Sequence, residues 1–114
     1  MKKLLICLTL LFPLNTYSAL SKYANIIVLD KVTANTKTYK MRVGKNYAID
    51  SLDIFAQKCD RTPPEEIPES AVYINIVEPE KSQDVIFKGW MFASNPSMNS
   101  FEHAVYDVWL KSCE

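Results

Sequence analysis

Apolar side chains return at every second position in segment after segment of this chain, and no stretch sustains a period of 3.6. A chain patterned this way folds as strands, because only an extended backbone sends successive side chains to opposite faces. The alternation is cleanest over residues 38–43, where Tyr39, Met41 and Val43 fall on one face and Lys40 and Arg42 on the other. That is the signature of a strand with one wet side. Residues 71–78 repeat it, with Val72, Ile74 and Ile76 opposite Tyr73, Asn75 and Val77. Leu52, Ile54 and Ala56 alternate with Asp53, Phe55 and Gln57, and near the C-terminus Tyr106, Val108 and Leu110 oppose Val105, Asp107, Trp109 and Cys113. Residues 25–30 hold a short β-branched run and residues 47–49 a short extended piece. Residues 85–92 form a further strand, in which Gly89 before Trp90 predicts a bulge or a close backbone approach.

Turn chemistry separates these segments: residues 32–37 read as a hairpin connection, and Gly44-Lys45-Asn46, residues 81–84 and residues 93–100 as turns. Pro63, Pro64 and Pro68 mark residues 60–70 as an ordered, exposed loop. The predicted fold is all-β, a small sandwich or partly open barrel of six to seven short, mainly antiparallel strands. Unbroken alternation would also put Phe55 with Cys59, and Trp109 with Cys113, on shared faces, so that the two aromatics pack over any bridge between the cysteines.

The N-terminus has a different character. Lys2 and Lys3 precede an apolar run over residues 4–14, and small or polar Thr16, Ser18 and Ala19 follow, which is the layout of a cleavable signal peptide with cutting after Ser18 or Ala19. The run is too short to span a bilayer as a permanent anchor, and Cys7, preceded by Ile6, lacks the small-residue setting of a lipidated cysteine. The expected division is therefore residues 1–19 as signal peptide and 20–114 as a single β domain. Loss of Lys2 and Lys3 turns thirteen basic against thirteen acidic residues into eleven against thirteen. A chain near minus two has no general attraction for nucleic acid or anionic membrane. Export carries Cys59 and Cys113 to an oxidising compartment, where a disulfide is expected; the alternative is two buried, unpaired thiols. No C-x-x-C spacing points to redox work.

Three stretches permit a comparison: residues 61–69 (Arg-Thr-Pro-Pro-Glu-Glu-Ile-Pro-Glu), residues 89–96 (Gly-Trp-Met-Phe-Ala-Ser-Asn-Pro) and residues 102–109 (Glu-His-Ala-Val-Tyr-Asp-Val-Trp). Together they resemble the domain of unknown function 2155 family, over roughly residues 26–113 and including Asp30-Lys31 and both mature cysteines. Thr62 departs from the pattern, standing where arginine and proline are often adjacent. The resemblance implies a small exported protein of the kind found chiefly in alphaproteobacteria, with a periplasmic or envelope address. It carries over no activity.

His103, the only histidine, lies beside Glu102 and four positions before Asp107, so a hydrolytic arrangement can be drawn with Ser97 or Ser100. Neighbours on an extended strand point to opposite faces, however, and the favoured role for His103 is a local hydrogen bond that holds the preceding loop. No catalytic residue, metal ligand set or cofactor is assigned: one histidine with Glu102, Asp107 and Asp60 has no recognised ligand spacing. Glu65, Glu66 and Glu69 read as solvated carboxylates. The candidate binding residues are Trp90, Phe92, Asn95, Met98, Phe101 and His103, in and around a turn-rich loop with aromatic edges. Trp90 and Phe92 are divided between core and contact with core favoured; Met98 and Phe101 are divided the other way. The leading expectation is a non-catalytic module that binds another envelope protein through residues 93–102. A carbohydrate or small-ligand binder using Trp90 or Trp109 as a stacking platform is the alternative, and a hydrolase centred on His103 comes third.

Overall fold

A computed structural model of the chain describes residues 19–63, 65–96 and 101–114, with Ala19 and Glu102 described by their backbone alone. Its strands are β1 (Ala19–Leu20), β2 (Tyr23–Asp30), β3 (Asn35–Arg42), β4 (Asn46–Ile49), β5 (Leu52–Arg61), β6 (Ser70–Val77), β7 (Val85–Phe92), β8 (Phe101–Glu102) and β9 (Tyr106–Cys113). No α-helix occurs among the described residues. One sheet runs β1-β5-β6-β7, with β4 also pairing β5; the other runs β3-β2-β9-β8, and every pairing is antiparallel. β9 lies over β6, so the two sheets face each other as a sandwich and do not close into a barrel.

The inner faces carry the residues that the alternation picks out. Ile26, Val28, Met41, Leu52, Ile54, Val72, Ile74, Ile76, Met91, Val108 and Leu110 are all buried. At roughly 1.5–3 kcal/mol for each large aliphatic side chain taken out of water, this layer is the main force holding the sheets together. Turns sit where the chain can adopt them. Ala34 (φ 59°) closes the β2–β3 hairpin, Gly44 (φ 88°) turns the chain between β3 and β4, and Asp50 (φ 53°) closes β4 on β5. The Asp30 carboxylate accepts the Val32 and Thr33 N–H groups, so the first hairpin is a tight turn over residues 31–34. The ladder accordingly takes in Asn35 and Thr36, which the sequence assigns to the connection, and β2 begins at Tyr23, two residues before the expected start.

Three bulges correct the simple alternation. In β5, Ala56 pairs Ile74 and Lys58 pairs Tyr73, so Gln57 is an extra residue. In β9, Leu110 pairs Ile26 and Ser112 pairs Asn25, so Lys111 is extra. Each insertion reverses the facing of everything after it. Cys59 and Cys113 therefore point into the core beside Ala56 and Leu110, and form a disulfide between β5 and β9 with Cα atoms 5.7 Å apart. Phe55 and Trp109 are left on opposite outer faces of the sandwich, so they do not pack over the bridge as expected. The third bulge corrects the expectation for Gly89, which sits in regular register opposite Ile74. The extra residue in β7 is Ile86, between Phe87 paired to Ile76 and Val85 paired to Val77.

The disulfide end of the sandwich is strapped by the start of the described chain. The Ser21 N–H donates to the Cys59 carbonyl at 2.9 Å, the Val43 N–H donates to the Lys22 carbonyl at 2.8 Å, and Tyr23 exchanges both backbone bonds with Glu114. Residues 19–23 thus cross from β1 in one sheet to β2 in the other, beside Cys59 and the residue after Cys113.

Candidate contact face

The outer face of the β5–β6–β7 sheet gathers four partly open aromatic side chains, Phe55, Tyr73, Trp90 and Phe92. Since Val72, Ile74 and Ile76 face the core, Tyr73 and Asn75 must face out, and antiparallel pairing aligns their neighbours in rows. Lys58, Tyr73 and Trp90 form one row; Phe55, Asn75 and Lys88 the next; Asp60, Ala71 and Phe92 flank the first on its other side. Phe55, Tyr73, Trp90 and Phe92 are all half-buried, and the lysines are exposed. Tyr73 and Trp90 meet edge to face, with centroids 5.3 Å apart and planes at 63°, a favourable arrangement of ring quadrupoles. The carboxamide oxygen of Asn75 is closed off from solvent and has no hydrogen-bond partner.

This face holds some of the residues singled out in the sequence and not others. Trp90 and Phe92 belong to it, because Met91 between them points inward. The expectation that favoured the core for these two thus gives way to a partly open sheet surface. Asn95 is exposed in the turn beyond β7. Met98 lies outside the described residues, as do Ser97 and Ser100. Phe101 is only 5% exposed: its partner in the ladder, Val108, faces the core, so Phe101 follows it inward and packs edge-on against Phe87 at 5.8 Å. It is a core residue, not a contact residue. In the sequence Tyr73 stands only on the side of its strand opposite the aliphatic residues, and Phe55 on the side expected to cover the disulfide.

His103 serves the β8–β9 turn. Its Nδ1 accepts the Val105 N–H at 3.0 Å, which leaves the proton on Nε2, 3.0 Å from Oε1 of Glu78. Both side chains are nearly buried, at 14% and 11% exposure, and the imidazole lies between Phe101 and Tyr106. Asp107 is elsewhere, paired with Lys31 at 3.1 Å on the outer face of the second sheet, so it does not orient His103. Glu78, at the end of β6, is the carboxylate that does.

The proline-rich loop is closed by polar side chains. The Thr62 hydroxyl donates to the Ile67 carbonyl and accepts from the Glu69 N–H, while the Glu69 carboxylate accepts the Ser70 and Ser94 N–H groups and the Ser94 hydroxyl. Burial works to raise the Glu69 pKa, and the hydrogen bonds from Ser94 and Ser70 outweigh it and hold the carboxyl below its ordinary range. Glu65, Glu66 and Ile67 are exposed. Glu69 thereby ties this loop to the turn that follows β7, at the rim of the aromatic face.

Among the described residues, no three side chains of the ligating kinds come together around a possible metal. No helix of these residues is long and apolar enough to cross a membrane. A shallow hollow of about 200 Å³ lies against the β2–β3 hairpin, lined by Val28, Asp30, Lys37, Tyr39 and Asp50 among others; neither tryptophan reaches it.

No solved structure matches the chain. An uncharacterized protein of Rickettsia prowazekii is 31% identical over 104 residues, which cover 87% of this chain and 67% of the relative. The pattern of the family described as "Uncharacterized protein conserved in bacteria (DUF2155)" matches residues 24–113, from the second residue of β2 to the disulfide cysteine of β9. The chain therefore belongs to the domain of unknown function 2155 family.

Proposed function

We propose that this protein is an exported, non-catalytic module of the bacterial envelope, addressed to the periplasm, which binds another envelope protein through the outer face of its β5–β6–β7 sheet. The observation that carries the proposal is the row-by-row gathering of Phe55, Tyr73, Trp90 and Phe92 on one sheet surface between exposed Lys58 and Lys88. Large, rotamer-poor aromatics surrounded by polar side chains are the composition of an interface core and its rim. The loop over residues 93–102 is replaced as the main contact surface, because Phe101 is held in the core.

The test is a photo-crosslinking residue at Lys58 in the intact cell, with the same residue at Lys40, on the outer face of the other sheet, as control. One dominant envelope protein captured from position 58 and absent from position 40 supports the proposal. Equal capture from both positions, or none, refutes it. A carbohydrate is the second reading, favoured by the half-buried Tyr73 and Trp90 rings side by side on an outer sheet face, where a sugar could stack. Retention of the folded protein on envelope polysaccharide, lost in Tyr73→Ala, would replace the first reading with this one.

A further inference from the structure

We propose that the hollow against the β2–β3 hairpin binds a free α-amino acid, with Asp30 and Asp50 taking its ammonium, Lys37 its carboxylate, and Val28 and Tyr39 as the floor. The hollow belongs mainly to the sheet that the contact face does not use, at the end of β2 away from the disulfide. It therefore stands apart from the protein-binding reading above.

The register builds the site. On the inner face of the second sheet the cross-strand pairs run Ala24–Met41, Ile26–Tyr39, Val28–Lys37 and Asp30–Asn35. Ala24, Met41, Ile26 and Val28 are buried and Tyr39 is half-buried. The same face then turns polar, with Lys37 and Asn35 exposed and Asp30 half-buried. A strand pair committed to the core along its whole length would carry aliphatic side chains at these positions. Here an inner sheet face ends instead in charged groups beside an apolar floor, and Asp50, from the β4–β5 turn of the other sheet, lines the same hollow.

These charges do not neutralise one another. Asp30 and Lys37 are diagonal neighbours on one strand pair, a spacing of about 7–8 Å in an antiparallel ladder. Yet among the described residues neither they nor Asp50 form an ion pair. The Asp30 carboxylate is also fixed in place, because its Oδ1 accepts the Val32 and Thr33 N–H groups, so its orientation is set before any ligand arrives. A ligand with an ammonium and a carboxylate on one carbon answers both signs at once. An amine alone leaves Lys37 without a counter-charge, and a carboxylate alone meets two groups of its own sign. The volume of about 200 Å³ equals that of about six or seven waters at about 30 Å³ each, which suits an α-amino acid with a short side chain.

The folded protein, expressed from the full chain and isotope-labelled for amide NMR, is titrated with three probes: L-alanine, L-lactate, which lacks the ammonium, and L-alaninol, which lacks the carboxylate. L-Alanine should give saturable shifts at Asp30, Lys37 and Asp50, and each analogue should bind about tenfold or more weakly, as expected for one lost charged contact. Lys37→Met keeps the stem of the side chain, and Asp50→Asn keeps a residue that tolerates the left-handed backbone there (φ 53°). Each should weaken L-alanine binding by a similar factor, while Tyr73→Ala, on the contact face, leaves it unchanged. Shifts that do not saturate, or that centre outside the hollow, overturn the proposal. So does binding of L-lactate or L-alaninol as tight as that of L-alanine, or undiminished L-alanine binding in Lys37→Met.

Discussion

Replacing both Cys59 and Cys113 with alanine should remove a large share of the stability of this domain. The bridge joins residues 54 apart in sequence, one in each sheet, at the end of the sandwich where the two sheets meet the N-terminal strap. On the chain-entropy account, closing a loop of that length lowers the entropy of the unfolded chain enough to stabilise the fold by about 4 kcal/mol at room temperature. A domain of this size has only about 5–15 kcal/mol in total. Urea unfolding followed by tryptophan fluorescence measures the difference. With a slope of about 1–2 kcal/mol/M, the midpoint of the double variant should fall by about 2–4 M relative to the oxidised protein. A second variant tests the placement of the sulfurs: deleting Gln57 removes the bulge in β5 and turns Cys59 to the outer face, away from Cys113. Purified as residues 19–114, and so without Cys7, the deletion variant should show two free thiols where the parent shows none. A double alanine variant within about 1 kcal/mol of the oxidised protein would refute the loop-closure argument, and a folded deletion variant that still forms the bridge would refute the role given to the bulge.

Two further predictions concern the carboxylates. The Glu69 pKa is held down in the fold, so its contribution is present above the ordinary carboxylate range and is lost as pH falls through the lowered value; Glu69→Gln should flatten the acid limb of a plot of urea midpoint against pH, and an unchanged limb would show that the Ser94 and Ser70 bonds contribute nothing. Glu78→Ala leaves the Nε2–H of His103 nearly buried without an acceptor and should cost about 1–3 kcal/mol in the same assay, whereas Glu78→Gln, which keeps an acceptor, should restore most of it; equal losses for the two would remove the hydrogen bond as the reason for burying Glu78.

The strand pattern was legible because burial on one face is a repeated, local instruction. Val72, Ile74 and Ile76 in β6, or Tyr39 and Met41 in β3, carry it with period two, and no tertiary contact is needed to read it. The bulges were not legible, since nothing in Gln57, Lys111 or Ile86 distinguishes an extra residue from a paired one. Gly89 offered the usual local sign of a bulge and has a regular partner instead. An extra residue is decided by where two strands must end up relative to each other, and here both cysteines had to reach the core from strands in different sheets. The disulfide itself was nonetheless foreseeable, because its warrant was the expectation of export together with the cysteine count, neither of which depends on register.

The same distinction governs the candidate face. Its members were present in the sequence as separate strand faces: Phe55 opposite Ile54 and expected over the disulfide, Tyr73 opposite Val72, and Trp90 and Phe92 on one face with the core favoured for both. What made them one surface was strand order, and β5, β6 and β7 are successive antiparallel neighbours. Placing Phe101 needed the other sheet, since its burial follows from pairing with Val108 across β8 and β9, where composition alone suggests an exposed aromatic at the edge of a loop. An aromatic residue in a turn-rich segment is therefore ambiguous until its ladder partner is known. The aromatics of β5, β6 and β7 are less so, because a strand that already devotes alternate positions to the core must leave the positions between them on its outer face.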